Sequence, residues 1–227
     1  MIIINAFTSN TLYNLARGPF AWAAFALFFA GCLIRTLKVL SLTRKWEPCW
    51  NIPVPMGNHN ASKVRLPFRM KLTVFGTNPV TMVVSTIFHI LIFVLPIFLL
   101  AHNILLKDAI GISFFSLPQQ MADLLAFIFL GCAVFFFFRR IFLKRMRAIS
   151  SVDDYLILFI AAAPFLTGVL AFYQIYDYRT VVILHMLSGE LMLITIPFTK
   201  AFHMVFFFIG RFLIVNQNTM GRGTRIL

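Results

Sequence analysis

The sequence predicts an all-α integral membrane protein: a bundle of five transmembrane helices with the N-terminus outside the membrane and the C-terminus in the cytoplasm. Composition gives the first indication, because 60% of the 227 residues are hydrophobic and only 12% are charged, which is not typical of a soluble domain. The second indication is that apolar runs of membrane-spanning length recur along the chain. We therefore expect a single membrane domain over residues 1–227.

Five apolar runs define the predicted helices. Polar or helix-breaking residues precede four of them, for example Asn78-Pro79 before the second and Asp153-Asp154 before the fourth. The fifth run is too long for one crossing, and we expect it to extend into the cytoplasm. The expected spans are about 19–37, 79–103, 122–142, 155–174 and 181–213.

The positions of the basic residues orient the bundle. The first loop, at about 38–78, is rich in Lys and Arg, as are the connection between the third and fourth spans and the C-terminal end. The opposite side has only Arg17, Lys107 and Arg179. Because Lys and Arg collect on the cytoplasmic side, the first loop and the C-terminus are predicted to be cytoplasmic. The net charge of +13 thus reflects topology, and we expect no nucleic-acid partner.

The cysteines exclude several kinds of metal site. Cys32, Cys49 and Cys132 show neither CxxC nor CxxCH spacing. This pattern argues against a zinc or iron-sulfur site and against covalently attached c-type haem.

Four of the five histidines lie on only two of the predicted spans. His89 and His102 are on the second span, and His185 and His203 are on the fifth. A neutral imidazole inside a membrane needs a hydrogen-bond partner or a metal to offset its lost hydration. Helix packing is the ordinary explanation of one such histidine, but two matched pairs favour a shared function. Because two helices can each contribute one axial ligand to a haem iron, the pattern predicts two bis-histidine b-type haems.

Helical spacing supports the fifth span more strongly than the second. On a continuous helix His185 and His203 would be about five whole turns apart and would share one stripe. His89 and His102 would be offset by about 140° on a straight helix. A kink or local unwinding near Pro96 could bring these two imidazoles to the same side.

The directions of the helices determine which histidines pair. The second span runs from inside to outside and the fifth from outside to inside. We therefore expect His102 to pair with His185 near the outer face, and His89 with His203 nearer the cytoplasm. If the second helix does not bend, His59 in the first loop is the alternative ligand.

Several polar residues are candidates for contacts with a quinone or with haem propionates. A quinone site needs hydrogen-bonding groups near a haem and a proton route to water. Lys107 and Asp108 lie beyond the second span, and Glu190 is an acid deep within the fifth. For Glu190, a structural hydrogen bond to a neighbouring helix is the alternative. Four basic residues are candidate propionate partners or, alternatively, only set the topology: Arg139, Arg140, Arg179 and Lys200.

Two segments of the fifth span carry a resemblance to a known family. They are His185-Met186-Leu187-Ser188-Gly189 and Ile196-Pro197-Phe198-Thr199-Lys200-Ala201-Phe202-His203. With five helices and histidine pairs on helices two and five, the chain resembles, over nearly its whole length, the gamma subunit of respiratory nitrate reductase and related cytochromes b of sulfate-reducer complexes. Because its first loop is long and the histidines of helix two are widely spaced, the chain resembles more closely the cytochrome b subunits of the high-molecular-weight cytochrome complex and of complexes related to heterodisulfide reductase.

The resemblance implies a dihaem cytochrome b of the prokaryotic cytoplasmic (inner) membrane, acting as the electron-transfer subunit of an anaerobic respiratory oxidoreductase complex. It implies two haem b groups, a quinone, expected to be menaquinone, that reacts beside the outer haem, and electron exchange with a cytoplasmic iron-sulfur subunit. Other membrane subunits and a periplasmic multihaem cytochrome c are further expected partners. The alternatives are a haem-free structural or assembly subunit of such a complex, and a transporter, for which the spans supply few polar residues.

Overall fold

The computed structural model describes residues 10–45 and 78–206, with the backbone alone for residues 42–45. These residues form helices and connecting turns without any strand, and five of the helices are long and apolar enough to cross a membrane. The five helices confirm the predicted number of membrane-spanning helices, so the chain is a multi-pass membrane protein. His59 and most of the first loop lie outside the described residues, and the orientation of the termini stays a prediction.

Seven helices of the described ranges are numbered here in chain order, and α1, α2, α4, α6 and α7 are the membrane-spanning ones. A π-helical turn, Ala16–Phe20, precedes α1, and a 3-10 turn, Lys200–Phe202, follows α7. The helices are α1 (Ala21–Lys45), α2 (Pro79–Phe98), α3 (Leu100–Ile110), α4 (Gln119–Phe142), α5 (Lys144–Ile149), α6 (Val152–Phe172) and α7 (Tyr178–Phe198).

The chain divides into two compact units. The first unit combines Met1–Glu47 with Ser150–Leu227 and contains α1, α6 and α7. The second unit is Pro48–Ile149 and contains α2 to α5. Two of the four candidate histidines lie in each unit.

In the first unit, α7 packs against both α1 and α6. Small residues of α1 allow this close approach. Ala24 is fully buried, and a Cβ placed on Gly31 would lie only 2.8 Å from Cβ of Pro197 in α7. Because lipid supplies no hydrophobic drive between helices, packing through such small residues is a main source of helix association in membranes.

In the second unit, aromatic side chains join α2 to α4. The ring of Phe88 stacks on that of Phe129 with centroids 4.6 Å apart, and it meets Phe136 edge-on at 5.6 Å. Phe129 is fully buried. Offset-stacked and edge-to-face pairs are the favoured aromatic geometries, so this cluster fixes the helix that carries His89.

Side-chain caps begin the last two spans. Ser151 and Asp154 form a capping box at the start of α6. Asp177 caps α7 by accepting hydrogen bonds from the Thr180 hydroxyl at 2.6 Å and from the Thr180 amide at 2.9 Å. These two bonds, the one from the hydroxyl first, hold the pKa of Asp177 below its ordinary value. Asp154, one of the two acids that precede the fourth predicted span, thus has a structural role at the first turn of α6.

Two helix breaks correct the expected continuity of the second and fifth spans. α2 continues through Pro96 but ends at Phe98, and Leu99 is extended with φ −69° and ψ 133°. His102 therefore lies on α3. Likewise α7 ends at Phe198, and Thr199 is extended with φ −118° and ψ −175°, so His203 follows the 3-10 turn. The expected single continuous helix carrying His185 and His203 is therefore not present.

The breaks have a common physical cause: side chains bind the backbone carbonyls near them. At the first break, His102 and Asn103 bind the carbonyls of Pro96, Ile97 and Leu99. At the second, the Arg35 guanidinium binds those of Pro197 and Thr199. Side-chain bonds of this kind compete with the helical ladder and replace it locally.

Candidate functional site

The four histidines predicted as haem ligands share one hydrogen-bond arrangement, in which Nδ1 lies close to a backbone carbonyl oxygen. The four bonds are His89 to Ser85 at 2.6 Å, His102 to Pro96 at 2.9 Å, His185 to Pro164 at 2.8 Å and His203 to Lys200 at 2.8 Å. Because a carbonyl oxygen only accepts, Nδ1 donates and Nε2 carries the lone pair of the neutral ring. Histidines that bind a metal through Nε2 have this tautomer and this kind of backbone bond. The donor chemistry of all four therefore fits an axial ligand.

His89 takes its orientation from the helix that carries it. Its acceptor is Ser85, one turn earlier in α2, and the Ser85 hydroxyl also lies 3.4 Å from the same Nδ1. The half-buried imidazole meets the buried ring of Phe88 edge-on, with centroids 5.6 Å apart. A helical histidine can form this local bond in many settings, so His89 is the least distinctive of the four.

His102 depends on the break between α2 and α3. Its Nδ1 donates to the carbonyl of Pro96, which in a continuous helix would accept from the amide of residue 100. The neighbouring Asn103 is only 3% exposed, and its amide donates to Ile97 and Leu99 while its oxygen accepts from the amide of Phe114 at 2.8 Å. Asn103 thus holds the backbone geometry that places the Pro96 carbonyl within reach of His102.

His185 is held by the neighbouring helix rather than by its own. Its Nδ1 donates to the carbonyl of Pro164 in α6, and the Thr167 hydroxyl lies 3.4 Å away. The ring lies against the backbone of Gly168, where an added Cβ would be 3.1 Å from Cε1 of His185. The imidazole is therefore held by two neighbouring points of α6, the carbonyl of Pro164 and the backbone of Gly168.

His203 is exposed and is the first of the helical residues 203–206 that follow the 3-10 segment, and its Nδ1 donates to the Lys200 carbonyl three residues earlier. The path of this turn is set by Thr199, whose hydroxyl accepts from the Ala201 amide at 3.2 Å and donates to the Thr195 carbonyl at 2.8 Å. The turn gives His203 the same tautomer as the other three histidines.

Each predicted pair takes one histidine from each compact unit. His89 and His102 belong to the second unit, and His185 and His203 belong to the first. The pairing of His102 with His185 and of His89 with His203 stays a prediction of the sequence.

The candidate propionate residues differ in their surroundings. Lys200 forms an ion pair with Asp154 at 3.0 Å and donates to the Ser151 hydroxyl at 2.8 Å, so its ammonium already serves the start of α6. Arg139 donates to Sδ of Met146 at 3.2 Å. Arg140 is half-buried near the end of α4, and Arg179 is exposed in the first turn of α7.

The candidate quinone residues lie on the helices that carry two of the histidines. Lys107 and Asp108 are exposed on α3, about one and a half turns after His102. Glu190 lies in α7, and its Oε1 is buried with no hydrogen-bond partner among the described residues. The alternative prediction, a structural hydrogen bond to a neighbouring helix, is therefore not seen at this oxygen.

Sequence reasoning missed the residues that orient the histidines. The signals were present but weak: Pro164 and Gly168 interrupt the fourth apolar run, Asn103 is a lone amide beside His102, and Arg35 is a cation near the end of the first run. None of these residue types identifies its partner, because each partner is brought close only by the folded chain.

Comparison with known proteins shows one clear relationship. The chain is 35% identical over 206 residues to a protein of Nitratidesulfovibrio vulgaris Hildenborough whose name states no activity, and the match covers 88% of this chain and 90% of that protein. No protein-family model matches the chain. No solved structure matches it either. An identity of this size over nearly both full lengths shows that the chain belongs to the same family as the Nitratidesulfovibrio vulgaris protein.

Proposed function

We propose that the protein is a dihaem cytochrome b of a prokaryotic inner membrane, the electron-transfer subunit of an anaerobic respiratory complex. Its axial ligands are His89, His102, His185 and His203. The observation that supports this proposal best is the shared bond from Nδ1 to a backbone carbonyl, which leaves the lone pair on Nε2 in all four rings.

Two of these four bonds support the proposal more strongly than the others. The bonds of His89 and His203 join residues one turn or less apart, and helical histidines form such bonds without any metal. The bonds of His102 and His185 are different, because one requires a helix break and the other crosses from α7 to α6. A protein that needed only to pack an imidazole would not require either arrangement, whereas a ligand whose ring must be fixed does.

The chain's contribution to such a centre is orientation and exclusion of water. When bound, a b-type haem supplies reversible one-electron transfer at its iron. The carbonyls of Pro96 and Pro164 fix the rings of His102 and His185 and increase the basicity of Nε2. The membrane-spanning helices lie in lipid. The low dielectric constant of this medium strengthens the electrostatic interactions of nearby charges.

A quinone, expected to be menaquinone, is the proposed electron donor or acceptor at the outer centre. The exposed Lys107 on α3 can donate a hydrogen bond to a quinone oxygen, and the neighbouring Asp108 carboxylate can accept one from a quinol hydroxyl. The half-buried carboxyl of Glu190, with its Oε1 buried, can exchange a proton. A cytoplasmic iron-sulfur subunit is the proposed partner at the inner centre. Other membrane subunits and a periplasmic multihaem cytochrome c would complete the complex.

Absorption spectroscopy tests the proposal. The protein, produced in a haem-sufficient host and purified in detergent, should show b-type bands in a reduced-minus-oxidised spectrum. A purified, folded protein without haem would overturn the proposal and favour the haem-free structural or assembly subunit. Co-purification from the native membrane then identifies the partner subunits.

A further inference from the structure

Arg35 connects α1 to the far end of α7. Its Nη1 donates to the carbonyl of Pro197 at 2.7 Å and to that of Thr199 at 2.9 Å. Its Cζ lies 4.7 Å from the centroid of the Phe202 ring, which is only 4% exposed. One guanidinium therefore holds three points of the segment that runs from the end of α7 into the turn before His203.

The three contacts bracket the acceptor of His203. Thr199 and Phe202 lie on either side of Lys200, whose carbonyl accepts from Nδ1 of His203 at 2.8 Å. Fixing both flanks fixes the direction of that carbonyl. His203 is exposed, and its bond to the Lys200 carbonyl ties the direction of its ring to the backbone of this turn.

A glycine of α1 allows the close approach to α7 that this contact requires. Gly31 lies one turn before Arg35, and a Cβ there would be 2.8 Å from Cβ and 2.9 Å from Cγ of Pro197. Only a residue without a side chain lets α1 approach closely enough for Arg35 to donate to the Pro197 carbonyl.

Among the described residues, Arg35 has no acidic partner. In the described part of the chain, no carboxylate lies within ion-pair distance of its guanidinium. Its partners are two carbonyls and an aromatic face, which attract the cation but leave its net charge in place. A positive charge beside a redox centre favours the reduced form, and in a medium of low dielectric the effect is strong.

We infer that Arg35 is a positioning residue for His203, which fixes the turn that orients the imidazole and raises the reduction potential of the centre that His203 serves. This inference rests on the proposed function, because it takes His203 as an axial ligand. It adds α1, which carries none of the four histidines, to the parts of the chain that control the inner centre.

The test compares Arg35→Gln and Arg35→Lys with a charge control on the same helix. Lys38→Gln removes one positive charge from an exposed position three residues further along α1. The spectral component lost in His203→Ala defines the centre to be followed, in redox titrations and in the low-spin ferric electron paramagnetic resonance signal of the purified protein.

Arg35→Gln is expected to lower the midpoint potential of that component, shift its resonance signal and weaken its haem retention by about 10-fold, the lower end of the effect of losing a residue that orients a ligand. Arg35→Lys keeps the charge but loses the planar fork, so it should shift the signal while retaining more of the potential. Lys38→Gln should change neither.

Two outcomes separate this inference from the proposed function. If the wild-type protein contains both haems and the His203-dependent component of Arg35→Gln matches that of Lys38→Gln in potential and signal, Arg35 is not a positioning residue. If the wild-type protein contains no haem, the proposed function itself is wrong. Should Arg35→Gln fail to accumulate in the membrane, Arg35→Lys gives the decision: an unchanged resonance signal would overturn the inference.

Discussion

Nδ1 of His185 in α7 donates to the carbonyl oxygen of Pro164 in α6 at 2.8 Å, while the same imidazole lies against the backbone of Gly168. The ring is thus held by a helix other than its own. Both features come from residues that interrupt an apolar span, and together they leave the imidazole little freedom to rotate. Four substitutions, of Gly168, Asn103, Asp177 and Glu190, test different parts of the described structure.

Gly168→Ala should displace His185. The new Cβ would lie 3.1 Å from Cε1 of the ring, so the ring must move by a few tenths of an ångström and its bond to Pro164 must lengthen. We expect about 10-fold weaker retention of the His185-dependent haem, measured as haem per chain after purification. The matched control is Gly131→Ala in α4, where an added Cβ meets nothing within 4 Å. Equal haem content in both variants would show that the glycine does not position the ring.

Asn103→Ala should weaken both the fold and the site at the break between α2 and α3. The buried amide makes three hydrogen bonds there, and its loss leaves the Phe114 amide without its partner. We expect a decrease of about 2 kcal/mol in the free energy of unfolding, from the loss of the three hydrogen bonds that this one side chain makes. Thermal unfolding in detergent measures this decrease. The effect on the site is measured as the content of the haem component that is missing from His102→Ala.

Gln119→Ala is the control for this substitution. It removes an exposed side-chain amide that bonds only Asp123 at 2.7 Å among the described contacts, and a stability loss well below that of Asn103→Ala is expected. Similar losses in the two variants would contradict a special role for Asn103.

Stability should decline in acid through Asp177, the cap of α7. Two hydrogen bonds from Thr180 lower the pKa of this carboxyl in the folded protein. The contribution of the ionised cap to the free energy of unfolding is therefore fully present above the ordinary pKa of 3.8. It is lost as the pH falls through the lowered folded value. Asp177→Asn keeps a capping oxygen without a titrating group, so its unfolding temperature should decline less over the same acid range. Identical acid profiles for the two proteins would count against this cap.

Glu190→Gln should separate quinone chemistry from haem binding. Glu190 is half-buried in α7, and its buried Oε1 lacks a hydrogen-bond partner in the described chain. The amide of Gln has nearly the same shape without an acidic proton. We expect an unchanged haem spectrum and roughly 100-fold slower haem reduction by a soluble quinol, the lower end for a positioned proton-transfer group. Asp123→Asn, at a half-buried acid near the start of α4, is the control. Wild-type rates in Glu190→Gln would leave Glu190 without a role in proton transfer.

Much of the fold could be predicted from the sequence, but little of the site's detail could. Five spans follow from hydrophobic length and composition, which act along a single helix and need no knowledge of its neighbours. A kink or unwinding of the second helix near Pro96 was anticipated, but its position at Leu99 was not, and the break at Thr199 was missed. Both positions depend on side chains that compete for backbone carbonyls. At Thr199 that side chain is Arg35, far away in the sequence. The partner of the His185 ring, Pro164, is likewise set by helix packing.

The partners of the basic residues could not be predicted from the sequence either. Lys200 was predicted as a candidate partner of a haem propionate because its charge and position suit that contact. In the fold it pairs with Asp154, one of the acids that begin α6. A sequence indicates which charges lie near a membrane surface, but which opposite charge each one meets depends on the arrangement of the helix ends.

Haem content per chain, measured with the absorption spectrum in the wild-type protein and in four single His→Ala variants, tests the central claim most directly. We predict two b haems in the wild type and the loss of one in each variant. His102→Ala and His185→Ala should lose the same spectral component, and His89→Ala and His203→Ala should lose the other. A wild-type protein without haem, or four variants that each retain two haems, would contradict the assignment of these histidines as axial ligands.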